Sequence, residues 1–386
     1  MLIFIGLFCI VGFTYPFLVL LANRAWHNLD EKQHISPNQH SIVYVSVVVA
    51  MRNEEKNILQ LLQFLLQQNY GHDNYEIILV DDQSEDNTLA LAESFKKSNP
   101  TLNIKILYNK VLENESPKKA ALHIGISAAK GNLILCTDAD CTGGTKWMQS
   151  VVTAYILNGY RFIAGPVMLK GQSFAEKLQQ TEFASLVGSA AATIYYRKPV
   201  FCNGANMAFD AQAYKEVKGF EDTEKVISGD DVTLMLKINQ RFPGTVHFLK
   251  SADAIIETNS TKSLYSFISQ RKRWAGKWNR SVQQHTVWLP IFIFFYHAIS
   301  LGGLYLAFKG LIPASLMVVF FAGRLLVEGI FLKNILGFFG KDMNIKSFLI
   351  AYTGYPFYAI FFGLFSNFGS FQWKGRKFTS LQNFTA

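Results

Sequence analysis

Residues 41–82, "SIVYVSVVVAMRNEEKNILQLLQFLLQQNYGHDNYEIILVDD", contain two strand patterns separated by a helix pattern. The run "SIVYVSVVVA" predicts a buried β-branched strand, and "YEIILVDD" predicts a second strand. Between them, "NEEKNILQLLQFLLQQN" carries apolar residues at helical spacing. Strand–helix–strand order of this kind predicts a parallel sheet with helices on both of its faces.

The same alternation continues as far as residue 140. A second helix is predicted at 84–98 with Ser84 as its N-cap residue, and it is followed by the strand "IKILYN", the helix "PKKAALHIGISAAKG" and the strand "NLILCTDAD". We therefore predict an α/β fold for a domain over residues 41–262. Within it, "SFAEKLQQTEFASLVGSAAATIYYRKP" predicts a helix that lies either on a membrane surface or in the core.

Apolar segments at both ends of the chain predict membrane helices. The chain has 386 residues, of which 50% are hydrophobic, and residues 1–22 carry no charge. We predict an N-terminal transmembrane helix over 1–23 and further spans near 287–308, 311–332 and 347–366, within a C-terminal membrane region at 287–367. Arg24, His27 and Lys32 follow the first span, so we expect a protein of the cell (inner) membrane whose central domain is cytoplasmic.

The net charge of the chain limits the classes of partner that it is expected to bind. A formal net charge of +9 is compatible with nucleic acid, anionic lipid or a phosphorylated substrate, and a membrane-bound chain favours the last two over nucleic acid. One inconsistency concerns the tail "WKGRKF", which four complete spans would place outside, against the positive-inside bias. Either 347–366, which contains Pro356, is re-entrant, or 172–197 inserts into the membrane.

Polar residues cluster where the predicted strands end. Glu54 follows the first strand, Asp81 and Asp82 end the second, Lys118 follows the third, and Asp138 and Asp140 end the fourth. The carboxyl ends of parallel strands meet at one edge of a sheet, where ligands bind. We therefore expect these side chains to share one crevice. There, Asp81 or Asp82 is placed to accept a hydrogen bond from a base N–H or a ribose hydroxyl.

Asp138 and Asp140 are candidate metal ligands. Carboxylate oxygens suit Mg²⁺ or Mn²⁺ bridging a diphosphate, because such ions commonly use one or two protein carboxylates and take their other ligands from phosphate and water. The alternative is a solvated acidic turn without a metal. Asp230 and Asp231, at the start of a helix predicted in "VISGDDVTLMLKINQRF", also allow two interpretations. They either cap the helix or supply a general base.

The basic stretch "FISQRKRWAGKW" at 267–278 precedes the C-terminal apolar segments. Its apolar residues recur at helical spacing, which predicts an interfacial amphipathic helix over 263–283. If a sugar leaves a nucleoside diphosphate nearby, Arg273 is a candidate to stabilise the departing charge. The alternative is a cationic helix attracted to anionic lipid.

The order of these motifs resembles that of a known family. "RNEE", "VDDQSEDNT", "KKAAL", "TDAD", "SGDD" and "QRKRW" follow one another between residues 41 and 285. This series is similar to the membrane-bound family 2 glycosyltransferases, including ceramide glucosyltransferases and the hyaluronan, poly-N-acetylglucosamine and cellulose synthases. The resemblance implies the GT-A fold, a Rossmann-like nucleotide-sugar-binding domain, with a UDP-sugar as the donor and a divalent cation.

The resemblance also implies roles for individual residues. Glu54, Asp81, Asp82, Lys118 and Asp138 would bind the donor, and Asp138 and Asp140 would hold Mg²⁺ or Mn²⁺. Asp231, with Asp230 beside it, would be the catalytic base, and Gln270, Arg273 and Trp274 would close over the diphosphate. "CNGANMAFD" would form an acceptor-side loop, in which either Asn203 or Asn206 contacts the acceptor.

The expected activity is inverting, metal-dependent transfer of a hexose from the nucleotide sugar to a hydroxyl group. Two acceptors are open, a lipid of the phospholipid bilayer and a growing glycan, as in a processive β-polysaccharide synthase. A third interpretation is a non-catalytic membrane scaffold that binds anionic lipid. Arg324 and Glu328, one turn apart within the third apolar segment, either line a headgroup pocket or form a structural pair.

Overall fold

The computed structural model describes residues 2–29, 42–110, 116–221, 223, 229–275, 285–365 and 370–379. Its helices are α1 (Leu2–Asn28), α2 (Ile58–Leu66), α3 (Thr88–Ser98), α4 (Pro117–Ser127), α5 (Trp147–Asn158), α6 (Phe174–Tyr195), α7 (Ala211–Glu216), α8 (Asp230–Arg241), α9 (Leu264–Ala275), α10 (His285–Phe308), α11 (Ala314–Phe338) and α12 (Ile345–Phe365). Its strands are β1 (Val45–Met51), β2 (Tyr75–Asp81), β3 (Ile104–Tyr108), β4 (Leu133–Cys136), β5 (Thr142–Gly143), β6 (Phe162–Ala164), β7 (Val167–Lys170), β8 (Met207–Asp210), β9 (Val246–Phe248), β10 (Ile256–Asn259), β11 (Ser370–Trp373) and β12 (Arg376–Thr379).

The main sheet has seven strands in the order β3-β2-β1-β4-β8-β6-β9. The first four strands are parallel, which confirms the prediction for this part of the chain. The whole sheet is nevertheless mixed, because β8 runs antiparallel to both β4 and β6. The chain enters β8 beside the end of β4, where Met207 faces Cys136, so the strand must run in the opposite direction.

The apolar side chains from which the sheet was predicted are buried and stabilise it. Val47, Val48 and Val49 in β1 are fully buried. The helix predicted at 84–98 begins later than expected, at Thr88, with Asn87 at its N-cap. Ser84 is not the cap residue, since its N–H donates to Asp81 and its hydroxyl accepts from the N–H of Asn53. These bonds hold it in the loop after β2.

A second, three-stranded sheet has the order β5-β10-β7. Strand β10 pairs antiparallel with β5 and parallel with β7. Because β5 follows Asp140 directly, this pairing brings Thr258 of β10 to the carboxylate of Asp140, at 3.1 Å between the two oxygens. The small sheet therefore fixes the loop after β4.

Three helices are long and apolar enough to cross a membrane: Thr286–Phe308, Ala314–Phe338 and Ile345–Phe365. These correspond to the three predicted C-terminal segments. The predicted N-terminal span forms α1, which is not among those three, and its crossing stays a prediction. The predicted interfacial helix is described over α9, while Lys277, Trp278 and Arg280 lie outside the described residues.

Helix α6 lies between the sheet domain and the apolar helices. It contacts β7 and β9 on one side and α1, α11 and α12 on the other. Ser173 and Glu176 form a capping box at its start. A Cβ atom on Gly188 would lie 2.1 Å from the side chain of Ile335, so α6 and α11 approach closely at this glycine. The segment is therefore the packing boundary between the two parts of the molecule.

Candidate functional site

The carboxyl ends of β1, β2 and β4 form what we call the donor edge, which carries Glu54, Asp81, Asp82, Asp138 and Asp140. The Glu54 and Asp82 side chains are only 6% and 4% exposed. Asn57 donates to Glu54 at 2.6 Å, and Asn109 donates to Asp82 at 2.8 Å. Burial raises the pKa of both carboxyl groups. These buried carboxylates can accept hydrogen bonds from N–H or O–H groups of a bound molecule.

Two basic side chains from the C-terminal hairpin, β11–β12, reach the same carboxylates. Lys374 forms an ion pair with Glu54, and Arg376 forms one with Asp82 at 2.7 Å. Arg52, after β1, donates from Nε to the carbonyl of Lys374 at 3.1 Å. The sequence analysis assigned none of these three residues to the site. The basic residues on either side of Gly375 were the sequence feature that could have indicated this contact.

Lys118 lies at the start of α4 and joins the donor edge to α8. Its Nζ lies 2.7 Å from Asp138 and 3.7 Å from Asp230. Burial opposes the charge on Lys118, but the charges of Asp138 and Asp230 outweigh it and raise its pKa. The predicted donor-binding lysine and two of the predicted acids therefore lie in one cluster.

Asp138 and Asp140 face the same region, as a metal site would require. Burial and the charge of Asp138 raise the pKa of Asp140. Among the described residues, no group of three or more His, Cys, Asp or Glu side chains could hold a metal ion. Two carboxylates fit a Mg²⁺ or Mn²⁺ that completes its shell with phosphate oxygens and water. The pair thus suits a cation that arrives with a diphosphate.

Asp231 lies in the first turn of α8, and its side chain contacts the loop before β8. The N–H of Gly204 donates to its Oδ2 at 3.1 Å, which orients the carboxylate. Asn203 lines the same cavity as Asp231. Asn206 is instead buried and donates to the carbonyls of Pro166 and Ala254. Of the two asparagines left open by the sequence, Asn203 is therefore the one that faces this cavity.

Arg273 of α9 connects the acidic groups. Burial lowers the pKa of its guanidinium, and the charges of Asp138, Asp230, Asp231 and Asp140 act in the opposite direction. Because the charges of all four carboxylates act on Arg273, the structure brings residues that are far apart in sequence into one region. This position suits a cation that stabilises a departing diphosphate.

Two neighbours of Arg273 on α9, Arg271 and Trp274, line a cavity. Gln270 accepts a hydrogen bond from Arg271, and the Arg271 guanidinium also donates to Glu182 of α6 at 2.9 Å. The guanidinium carbon lies 4.3 Å from the centre of the Trp274 ring. Glu182, which the sequence analysis did not single out, thus anchors α9 against α6. Gln270 packs against Arg271 and holds this corner.

A cavity of about 870 Å³ opens beside Asp231; we call it the acceptor cavity. Its walls come from α1, α6 and α9–α12, and they are mostly apolar. Arg324 and Glu328 also line it and pair with each other at 2.8 Å. The acceptor cavity therefore connects the predicted base with the faces of the apolar helices.

Two known families match this chain. The family described as "Glycosyl transferase family 2" matches residues 46–218, and "Glycosyl transferase family group 2" matches residues 134–364, more than half of the chain. The two matches together cover the donor edge, α8, α9 and most of the apolar helices.

Curated relatives are similar over part of their length. Glycosyltransferase AglE of Haloferax volcanii is 28% identical over 128 residues, 33% of this chain and 40% of the relative. A poly-beta-1,6-N-acetyl-D-glucosamine synthase of Staphylococcus aureus is 24% identical over 247 residues, 62% of this chain and 55% of the relative. The chain thus matches between 40% and 55% of the length of these two proteins.

A solved structure shares the fold. The mannosyltransferase PcManGT from Pyrobaculum calidifontis, in complex with GDP-Man and Mn²⁺, superposes with a TM-score of 0.59 at 16% identity. The match covers 92% of this chain and 97% of that one. The GT-A fold predicted from the motifs is therefore confirmed.

Proposed function

The chain belongs to glycosyl transferase family 2, and from this premise we propose that it is an inverting enzyme of the membrane that transfers a sugar from a UDP-sugar to a hydroxyl group of a lipid. The donor edge supports the nucleotide part of this proposal, because buried carboxylates there can accept hydrogen bonds from a base and a ribose. The acceptor cavity supports the lipid part.

The residues around Asp231 suit a single displacement. Asp231 accepts the proton of the acceptor hydroxyl, and the oxygen attacks the anomeric carbon on the face opposite the diphosphate. The bond between that carbon and the phosphate oxygen breaks, and its electron pair leaves with the nucleoside diphosphate. Lys118 and Arg273 lie where they can stabilise this charge. Bound through Asp138 and Asp140, Mg²⁺ or Mn²⁺ would neutralise part of it as well.

The acceptor cavity is the observation that favours a lipid. Asp231 and Asn203 line it on one side, while Phe294, Phe331 and Phe362 of the apolar helices line it on the other. An acyl chain held against these helices can place its polar end near Asp231. The volume of about 870 Å³ is within the usual range for pockets that enclose a small-molecule ligand.

The test uses the full chain reconstituted in lipid nanodiscs. Radiolabelled UDP-glucose, UDP-galactose and UDP-N-acetylglucosamine are each supplied with Mn²⁺, and the products are partitioned between organic and aqueous phases. We expect label to enter the organic phase as a low-mass glycolipid. Label that stays entirely in the aqueous phase as sugar or nucleotide contradicts transfer to a lipid.

A processive polysaccharide synthase is the second candidate, and the similarity to poly-beta-1,6-N-acetyl-D-glucosamine synthases favours it. Size-exclusion chromatography of the same reaction distinguishes the two, because a synthase gives a high-mass product. A non-catalytic scaffold that binds anionic lipid would leave every donor intact. Donor consumption by the wild-type chain therefore separates both enzymes from the scaffold.

The apolar surface of α1 supports its place in the membrane. Ile10, Phe13, Phe17 and Leu20 recur at three- and four-residue intervals and are between 49% and 77% exposed. A helix stripe of this kind fits contact with lipid. Together with Arg24 and His27 near the end of α1, it supports a protein of the cell (inner) membrane with its catalytic domain on the cytoplasmic side.

A further inference from the structure

The hairpin β11–β12 presents two cations from a rigid tip. Lys374 and Gly375 connect its strands, and both have positive φ, 48° and 80°. A two-residue loop with positive φ at both positions is the hairpin turn that matches strand twist, and glycine adopts it without strain. The turn therefore fixes where Lys374 and Arg376 emerge, on either side of Gly375.

The tip is bound to the donor edge through several independent contacts. Besides its ion pair with Asp82, Arg376 donates from Nη2 to the side chain of Gln83 at 3.0 Å. Arg52 holds the tip by donating to the Lys374 carbonyl and to the Asp82 carbonyl, at 3.1 and 2.8 Å. Lys374 and Arg376 are 31% and 20% exposed, so each has a face open to a ligand.

The negative charge around the site indicates a role for Lys374 and Arg376 when a donor binds. Glu54, Asp82, Asp138, Asp140 and Asp230 all lie around the region that would receive a nucleoside diphosphate. The charge of Lys374 reaches Asp140, one of the two candidate metal ligands. Lys118 and Arg273 supply two positive charges against these five carboxylates, so an anionic diphosphate that enters the site gains from two further cations.

We propose that Lys374 and Arg376 are donor-binding residues that exchange partners when the nucleotide arrives. The base and ribose donate to Glu54 and Asp82, and the two released cations turn to the diphosphate. This inference rests on the proposed function, because it requires a nucleoside diphosphate as ligand. It assigns to the C-terminal hairpin a direct part in the affinity for the donor.

The test measures nucleotide binding to the full chain in detergent by isothermal titration calorimetry. UDP and GDP are titrated with Mn²⁺, and the tighter of the two is carried forward with its nucleoside. We expect Lys374→Met and Arg376→Met each to weaken diphosphate binding by roughly 10- to 100-fold, the usual range for a charge-assisted hydrogen bond. Neither change should weaken binding of the nucleoside, which lacks the diphosphate.

Controls separate the proposed contact from other roles. Arg241→Met removes the cation of an exposed pair with Glu216 at the far end of α8 and should leave diphosphate binding unchanged. Arg376→Lys, which keeps the charge, should recover part of the affinity and shows that loss does not come from misfolding. In an Asp82→Asn background, Arg376→Met should still weaken diphosphate binding.

Three results overturn the inference. Diphosphate binding that is unchanged or tighter in the hairpin variants makes the hairpin neutral or a competitor of the donor. Equal losses for nucleoside and diphosphate assign the cations a structural role. An effect that disappears in the Asp82→Asn background limits Arg376 to its ion pair. If the wild-type chain binds neither nucleotide, it is the proposed function that fails.

Discussion

The donor edge and the acceptor cavity are built by different interactions. At the donor edge, buried carboxylates and basic side chains hold each other at the ends of strands, and each role depends on one or two atoms. In the acceptor cavity, apolar faces of several helices enclose a volume, and no single side chain defines it. The comparison teaches that substrate chemistry and substrate fit can be changed separately in this molecule.

The largest expected effect comes from Asp231, where the two regions meet. Asp231→Asn keeps an oxygen that can accept from Gly204 but removes the base, so kcat should fall by about 10²- to 10⁴-fold. Affinity for the nucleotide should stay the same, since the donor edge is intact. Initial rates and calorimetry measure the two quantities. Asp253→Asn, at an exposed carboxylate, is the control, and unchanged turnover in Asp231→Asn rules out this residue as the base.

A change confined to the acceptor cavity should separate the two regions. Ala359→Trp on α12 adds a large ring to the lining, and overfilling of this size costs roughly 1–3 kcal/mol. We expect transfer to lipid to fall about 10- to 100-fold while hydrolysis of the donor by water continues. Phe357→Trp is the matched control, because Phe357 is exposed on the same helix. Equal losses of lipid transfer and donor hydrolysis would show that a change in the acceptor cavity also affects the donor edge.

A change at the donor edge should act on the cation instead. Thr258 orients Asp140 through a 3.1 Å hydrogen bond, and removal of such a supporting group commonly weakens metal affinity by at least about tenfold. Thr258→Val should therefore raise the Mn²⁺ concentration for half-maximal turnover by roughly that factor. Thr245→Val removes a hydroxyl that bonds the Phe242 carbonyl and serves as the control. An unaltered Mn²⁺ requirement would remove Asp140 from the metal site.

The smallest expected effect concerns α6, which both regions share. Ser173→Ala removes the N-cap of this helix and should reduce stability by about 1 kcal/mol. Because α6 packs on the sheet and on the apolar helices, donor hydrolysis and lipid transfer should change together. Thermal unfolding in detergent measures the loss, with Ser98→Ala at the exposed end of α3 for comparison. A loss of lipid transfer without a loss of donor hydrolysis would show that α6 supports only the acceptor cavity.

The sequence predicted the regular part of the fold because its signal is local. Periodic apolar residues mark β1, β2 and α2, and the direction of the first four strands follows from strand–helix alternation. The antiparallel direction of β8 has no such signal, since the four residues "MAFD" do not specify a partner strand. Ser84 is not the cap because the helix begins only at Thr88, while Ser84 bonds Asp81 and Asn53 within the loop after β2.

The candidate site likewise contains residues with a local sequence signal and residues without one. Glu54, Asp82 and Asp140 could be placed together because parallel strands end at one edge of a sheet. Lys374 could not, since 320 residues separate it from Glu54 and no repeating pattern connects them. Glu182 was missed for a similar reason, because its role depends on how α6 packs against α9. Long-range contacts between elements, rather than patterns within them, complete the site.

The location of the hairpin also bears on how the chain threads the bilayer. Lys341, just before α12, lies 3.7 Å from Glu257 of the catalytic domain, and Lys374, soon after α12, pairs with Glu54 of the same domain. We propose that a helix whose two flanks reach one domain enters and leaves the lipid on a single side, since Pro356 within α12 allows a bend. The number of complete crossings after the catalytic domain is then even. A membrane-impermeant label should accordingly reach the domain and the hairpin β11–β12 from the same compartment.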